Sequence, residues 1–269
     1  MNVTQLIAEI KRKQSFLCVG LDTDISKLPK GLSKDAAGIL AFNKNIIEAT
    51  KDVAVAYKIN TAFYEQLGSK GWEILEKTQE MLPSHALSIA DAKRGDIGNT
   101  STMYAKAFFE TMNFDAVTVA PYMGYDSVEP FLKFGNKITI VLGLTSNAGS
   151  ADFQTNALYS PPLYQTVLER VASWGSADNL MFVVGATKAA ELKTIRKIVP
   201  NHFLLIPGVG AQGGSAVEVC ENGANSIGGL LINSSRGIIY ASNGEDYAEA
   251  ANREAIKLAK ETAPFTMQL

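Results

Sequence analysis

The sequence predicts a single (β/α)8 barrel domain over residues 1–269. Eight short apolar runs recur along the chain, and segments with helical spacing and helix caps lie between them. The runs show no strict alternation of polar and apolar residues, which is typical of parallel strands buried on both faces. Parallel strands need crossover connections, and eight such units fit one barrel of this length. A doubly wound open sheet is the alternative, and eight units without a second domain disfavour it.

The predicted elements follow from these runs and from the signals between them. The predicted strands cover residues 16–21, 53–59, 86–90, 116–120, 138–144, 180–184, 203–206 and 226–232. Three helices have clear boundary signals: 103–112 after the polar residues 99–102, 128–134 after Ser127, and 212–222 before Gly223. One long irregular segment, 145–162, follows the fifth strand. Loops of this length are either functional lids or surface insertions, and both interpretations stay open here.

Composition and charge exclude several classes of function. A hydrophobic content of 46% supports a large core, and a net charge of −2 leaves no basic stripe for a nucleic acid. No apolar stretch reaches the length of a membrane span, and the N-terminus lacks the order of a signal peptide. We therefore expect a cytoplasmic protein. Cys18 and Cys220 lie in a predicted strand and helix with no Cys/His cluster, which predicts buried thiols and no metal site.

The most informative motif is Asp91-Ala-Lys93-Arg-Gly-Asp96, which directly follows the third predicted strand. Residues i and i+2 of a strand project from one face, so Asp91 and Lys93 can point into the same cavity. Asp96 falls past the strand end, in a turn or in the first turn of the next helix. Solvated, salt-bridged strand ends carry similar patterns, and the motif therefore needs support from its surroundings.

That support comes from polar residues at the ends of other predicted strands, where a barrel places its active site. These are Asp22 at strand one, Lys58 at strand two, Ser146 and Asn147 at strand five, 207–214 at strand seven and 233–237 at strand eight. An isolated charge at a strand end is usually just solvated. Several polar groups on one rim indicate a functional site.

The last two of these loops predict a phosphate monoester ligand. Glycines let backbone N–H groups approach an anion, and barrels of this kind often bind phosphate after strands seven and eight. Arg236 would supply a planar, permanently charged donor for phosphate oxygens. With Arg236, the candidate binding residues here are Pro207, Gly213 and Ser235.

The charged groups also indicate a chemistry. Lys58, Asp91, Lys93 and Asp96 would alternate in sign if they met in one cavity, and neighbours near 4 Å attract by about 4 kcal/mol at an effective dielectric of 20. Such a network would keep every member ionised. Lys93 could then give a proton to a developing carbanion, while Asp91 would repel a substrate carboxylate more than the carbanion that replaces it. That is selective stabilisation of the transition state.

Taken together, these motifs resemble the orotidine 5′-phosphate decarboxylase family, most closely its longer bacterial branch. The likeness rests on residues 91–100, 207–214, 56–58 and 21–22, which occur in the family's order. It extends over nearly the whole barrel, from Asp22 to Arg236. The resemblance implies cofactor-free decarboxylation of orotidine 5′-monophosphate to UMP and CO2, the last step of de novo pyrimidine synthesis, by a homodimer.

The resemblance also implies roles for individual residues. Lys93 would protonate C6 of the pyrimidine, Asp91 would face the departing carboxylate, and Asp22 and Lys58 would hold ribose hydroxyls. Three residues would reach into the neighbouring subunit's site: Asp96, Ile97 and Thr100. Three would bind the nucleotide from later loops: Ser146 at the pyrimidine edge, with Asn147 as the alternative, Gln212 between base and phosphate, and Arg236 on the phosphate.

Two other functions stay open from the sequence. Magnesium-dependent sugar-phosphate lyases and decarboxylases share the Asp-x-Lys-x-x-Asp pattern, but they need a further carboxylate as a metal ligand. The second strand offers Lys58 at that place, and Glu65 lies far into the following segment. A non-catalytic barrel that senses UMP is the third possibility. Retention of both Asp91 and Lys93 disfavours it.

Overall fold

Eight parallel strands close into a barrel in sequence order, and the eighth strand pairs with the first. The predicted (β/α)8 barrel is therefore confirmed. The structure is a computed structural model that describes residues 1–156, 158, 160–210 and 213–267. The strands are β1 Leu17–Gly20, β2 Ala56–Asn60, β3 Leu87–Arg94, β4 Ala116–Val119, β5 Ile138–Leu144, β6 Leu180–Val184, β7 Phe203–Pro207 and β8 Leu230–Ser234.

Helices connect the strands. In the described residues they are α1 Val3–Lys13, α2 Ala36–Thr50, α3 Ala62–Glu65, α4 Ser69–Glu80, α5 Gly98–Lys106, α6 Tyr125–Leu132, α7 Ser150–Phe153, α8 Leu163–Ala172, α9 Ala189–Ile198, α10 Ala216–Gly223, α11 Arg236–Ile239 and α12 Tyr247–Thr266. Within the described part of the chain, none is both long and apolar enough to cross a membrane.

The core lies inside the barrel and between the strands and helices. Every residue of β6, for example, is buried, because one face of the strand points into the barrel and the other lies under the helices. This double burial explains the unbroken apolar runs in the sequence. The candidate site residues lie toward the carboxyl ends of the strands, where barrels of this kind place their active sites.

Two strand boundaries differ from the prediction in ways that matter for the site. β3 continues to Arg94, so Asp91 and Lys93 belong to the strand and do not follow it. β8 begins at Leu230, four residues later than predicted, because Asn225 and Gly228 exchange backbone hydrogen bonds of 3.3 and 2.9 Å in a turn. The end of β8 moves correspondingly to Ser234.

The helix boundaries differ as well. Residues 99–102 were predicted to precede a helix, but they lie inside α5, which continues into a π-helical turn over Ala107–Thr111. α6 starts at Tyr125, three residues earlier than predicted. α10 starts at Ala216 because the Ser215 side chain caps it, accepting a hydrogen bond from the backbone N–H of Glu218. The long segment after β5 was predicted to be irregular, and it contains the short helix α7.

Candidate active site

A cavity of about 430 Å³ opens at the carboxyl ends of the strands. Eight of the predicted site residues line it: Asp22, Lys58, Asp91, Lys93, Ser146, Pro207, Ser235 and Arg236. They come from strands or loops on every side of the barrel mouth, so only the closed sheet brings them together. The cavity wall carries charged side chains on the side of β1 to β3, and on the side of β7 it includes residues 207–209.

Four charged groups form a continuous chain of ion pairs on one side of this cavity. The Lys58 ammonium lies 3.3 Å from Asp22 Oδ1 and 2.9 Å from Asp91 Oδ2. The Lys93 ammonium lies 2.7 Å from Asp91 Oδ1. Signs therefore alternate from Asp22 through Lys58 and Asp91 to Lys93. The structure brings together three residues of the predicted network, and within one chain the fourth charged group is Asp22, while Asp96 lies elsewhere.

The network keeps its buried members ionised. Burial by itself would raise the pKa of Asp91, but the ammonium groups of Lys58 and Lys93 outweigh it and hold that pKa well below its usual range. Burial likewise opposes charge on Lys58, and the carboxylates of Asp91 and Asp22 outweigh it and raise the pKa of Lys58. Asp91 is thus a buried anion at neutral pH. A second negative group placed beside it would be strongly repelled.

Lys93 has an unusual backbone conformation that directs its side chain. Its φ is +46°, in the left-handed region that costs a non-glycine residue about 1–2 kcal/mol. The cause is a bulge in β3: Ala90 pairs with Val117 and Arg94 pairs with Val119, so three residues of β3 face one of β4. The i, i+2 rule predicted that Asp91 and Lys93 share the cavity. They do, but through this bulge and not through a regular strand.

The side of the mouth where the sequence predicts a phosphate, at the loops after β7 and β8, contains glycines and one arginine. Gly208 and Gly210 have φ values of +98° and +73°, which other residues rarely adopt. A Cβ atom on Gly20 would lie 1.9 Å from Ser235 Oγ, so only glycine lets the loop after β8 pack against β1. Arg236 lies exposed at the rim, and no carboxylate among the described residues pairs with it. Its guanidinium is available to an anion.

Other predicted residues lie outside the cavity lining. Asp96 lies in the loop between β3 and α5, where its Oδ1 accepts a hydrogen bond from the Ile97 N–H at 2.8 Å. Ile97 is 54% exposed, and Thr100 is exposed on α5. Gly213 closes a turn by donating its N–H to the Gly210 carbonyl at 2.9 Å. Gln212 lies outside the described residues.

The cavity also has members that the sequence analysis did not single out. Asn60 is polar, and Leu142, Val183 and Leu205 are apolar. Asn60 could have been found, because it is a polar residue directly after the predicted second strand, 53–59. The apolar members carry no such signal, since a strand residue in a cavity wall looks like any core residue.

The groups that a metal site would need are arranged differently. Lys58 lies in β2, and Glu65 pairs with the Arg94 guanidinium and is not among the described residues that line the cavity. Among the residues that the structure describes, no three His, Cys, Asp or Glu side chains form a group suited to a metal ion. The acidic side chains at the cavity are bound by lysines instead.

The chain folds as a parallel barrel, and ionised Asp and Lys side chains, glycines and an arginine lie at its strand ends. These features place it in the class of (β/α)8-barrel enzymes. The family model described as "Orotidine 5′-phosphate decarboxylase / HUMPS family" matches residues 15–251. The chain belongs to this family, which confirms the resemblance seen in the motifs.

Individual relatives match over nearly the full length. An orotidine 5′-phosphate decarboxylase of Flavobacterium johnsoniae is 58% identical over 266 residues, covering 98% of this chain and 97% of the relative. One from Christiangramia forsetii is 56% identical, covering 98% of both chains. Among solved structures, Leishmania donovani OMP decarboxylase has a TM-score of 0.82 and 36% identity, covering 97% of this chain and 99% of that one. Leishmania donovani UMP synthase has a TM-score of 0.84 and 38% identity over 96% of this chain, which spans 57% of that longer protein.

Proposed function

We infer that this chain decarboxylates orotidine 5′-monophosphate to UMP and CO2, the last step of de novo pyrimidine synthesis. The observation that carries this function is the Asp91 carboxylate, buried and held between the ammonium groups of Lys58 and Lys93 at 2.9 and 2.7 Å. The relatives named orotidine 5′-phosphate decarboxylase support the choice of substrate. The proposed reaction proceeds without a cofactor.

The proposed chemistry uses the charges of this network. The substrate carboxylate lies beside ionised Asp91, and this repulsion falls as CO2 leaves. The C6–carboxylate bond breaks, and its electron pair remains on C6 as a carbanion beside the Lys93 ammonium. A proton moves from Lys93 Nζ to C6 and gives UMP, and the lysine regains a proton from solvent. The network stabilises the carbanion more than the starting carboxylate, which lowers the barrier.

The remaining cavity residues bind the nucleotide in this proposal. Asp22 and Lys58, 3.3 Å apart, are placed to hold ribose hydroxyls. Ser146 or Asn147, at the start of the segment after β5, contacts the pyrimidine edge. Arg236 binds the phosphate, together with the backbone of the loops around Pro207 and Ser235. Gln212 completes the family's pattern between base and phosphate.

We also propose that the enzyme is a homodimer in which Asp96, Ile97 and Thr100 complete the partner's site. Within their own chain these residues lie outside the cavity lining. Apolar side chains near them are exposed to solvent: Ile97 by 54%, Tyr122 by 86% and Met123 by 47%. Exposed apolar groups of this kind favour a protein interface. The buried free thiols of Cys18 and Cys220 are compatible with the reducing cytoplasm, where we place the enzyme.

Release of CO2 from orotidine 5′-monophosphate, measured with and without a chelator, tests the function. We expect UMP and CO2 in equal amounts and the same rate in both conditions, because the proposed charge stabilisation uses Asp91, Lys58 and Lys93 alone. A rate abolished by the chelator and restored by Mg²⁺ would favour a metal-dependent lyase. Tight UMP binding without CO2 release would indicate a nucleotide sensor.

The variant Arg236→Ala tests the phosphate site. A hydrogen bond to a charged group contributes about 1.5–3 kcal/mol, so we expect kcat/KM to fall by about 10- to 100-fold. The phosphate's binding energy also helps to order the loops around the base, so kcat should fall together with affinity. Steady-state kinetics with substrate, and with the nucleoside that lacks the phosphate, measure both effects.

The comparison of the two substrates makes this test specific. Removal of the phosphate should cost the unaltered enzyme far more than it costs Arg236→Ala, because the variant has already lost the contact. Arg253→Ala is a matched control, since Arg253 is exposed on α12 and lies 3.5 Å from Asp246. Equal losses in the unaltered enzyme and in Arg236→Ala would show that Arg236 does not contact the phosphate.

A further inference from the structure

Thr118 of β4 makes two hydrogen bonds that join Lys93 to Asp91. Its Oγ1 accepts a hydrogen bond from the Lys93 backbone N–H at 2.9 Å and donates one to Asp91 Oδ1 at 3.0 Å. Thr118 is fully buried, and it is not among the described residues that line the cavity. The side chain therefore contacts the Asp91 carboxylate and the Lys93 backbone from outside the cavity lining.

The position of Thr118 explains why the hydroxyl is needed. It is the single β4 residue opposite the bulge formed by residues 91–93. The bulge turns the Lys93 N–H away from a regular strand ladder, and a buried N–H without a partner is costly. The threonine hydroxyl takes the place of the missing backbone acceptor. The ladder resumes one step later, where the Ala120 N–H donates to the Arg94 carbonyl at 2.8 Å.

We propose that Thr118 is a positioning residue that holds the Lys93 backbone in its left-handed conformation and fixes the Asp91 carboxylate. The Lys93 side chain is 49% exposed, so surrounding packing does little to orient its ammonium group. Two features orient the Lys93 side chain: the backbone conformation at its base and the hydrogen bond from its ammonium group to Asp91 Oδ1. Thr118 acts on both, because the same hydroxyl contacts the Lys93 N–H and that same carboxylate oxygen.

The variant Thr118→Val tests this inference, which rests on the proposed decarboxylation. Valine keeps the shape of threonine but leaves the Lys93 N–H unpaired and removes one donor from Asp91. Misplacement of a reacting group by about 1 Å can cost about 100-fold in rate, and we expect a loss of that order in kcat. KM for orotidine 5′-monophosphate should stay within about threefold, because Thr118 does not touch the substrate.

A serine at this position separates the role of the hydroxyl from that of packing. Thr118→Ser keeps the hydroxyl and loses a methyl group, so kcat should return to within several-fold of the unaltered enzyme even if the melting temperature falls. Thr118→Ala provides a second variant without a hydroxyl, in case valine prevents folding, and it should lose kcat as valine does. Equal kcat losses in the serine and alanine variants would overturn the proposal, and so would unchanged kcat in the valine variant.

Thr139 offers a matched control on the neighbouring strand. It is 1% exposed on β5, and its Oγ1 has no hydrogen-bond partner among the described residues. Thr139→Val therefore removes a buried threonine hydroxyl that contacts neither Lys93 nor Asp91. We expect kcat and KM to remain unchanged in this control. A kcat loss equal to that of Thr118→Val would show a general effect of the core and would overturn the assignment.

A crystal structure of Thr118→Val gives a readout that does not depend on activity. We expect Lys93 to leave the left-handed region or its ammonium to move away from Asp91 Oδ1. An unchanged φ near +46° with an unchanged contact of 2.7 Å would overturn the proposal. If the unaltered enzyme released no CO2, the proposed reaction would fail, while this structure would still decide what Thr118 holds in place.

Discussion

Lys93→Ala is expected to abolish turnover while the protein stays folded. General acid catalysis alone contributes up to about 10,000-fold, and this substitution also removes a cation that stabilises the carbanion. The fold should survive, because the Lys93 side chain is 49% exposed and the core lies elsewhere. Alanine also has a Cβ atom, so the cost of the left-handed backbone changes little. CO2 release and the melting temperature are the two measurements.

The binding of UMP gives a second result for the same variant. Asp91 keeps Lys58 at 2.9 Å but loses its other cation, so the cavity becomes more negative and nucleotide affinity should fall somewhat. Lys193→Ala is a matched control, because Lys193 is exposed on α9. Near-normal CO2 release by well-folded Lys93→Ala would rule out Lys93 as the proton donor.

The sequence was sufficient to predict the barrel, because its signals are local. Apolar runs reveal strands buried on both faces, and the sequence order of such strands is their spatial order in a closed barrel. The pairing of Asp91 with Lys58 was also predictable, since the sequence places both near the carboxyl ends of neighbouring strands. The fourth member of the network was not. Asp22 and Asp96 are both acidic and near strand ends, and only the β1–β2 pairing places Asp22 beside Lys58.

The features that the sequence did not reveal depend on contacts between distant segments. The bulge around Lys93 follows from the register between β3 and β4, which no local pattern encodes. The role of Thr118 depends on that register too, because in the sequence it is one more β-branched residue in an apolar strand. The late start of β8 is an exception, because its cause is local: the glycines at 228 and 229 have φ values of +89° and +65°. These two glycines favour a turn, but the apolar residues around them led to the prediction of a strand there.

Asp96→Ala should lose most activity although Asp96 does not line the cavity of its own chain. In the proposed dimer, its carboxylate enters the partner's site and extends the alternation of charges past Lys93. The fold should be unaffected, because among the described residues the Asp96 carboxylate accepts its hydrogen bond from the neighbouring Ile97 N–H and not from a distant part of the chain. Steady-state kinetics and the melting temperature check both statements. Full activity in this variant would remove Asp96 from the catalytic group.

Mixing the two inactive variants, Lys93→Ala and Asp96→Ala, should restore activity if subunits exchange. In a heterodimer one site lacks both the Lys93 ammonium and the Asp96 carboxylate. The other site combines an intact Lys93 with an intact Asp96 from the other subunit. Random exchange of equal pools gives about half heterodimers with one good site each, so about a quarter of the unaltered site activity should return. Each pool measured alone is the control. Because exchange can be demonstrated independently with two differently tagged pools, absence of recovery in an exchanged mixture would mean that Asp96 acts within its own chain or not at all.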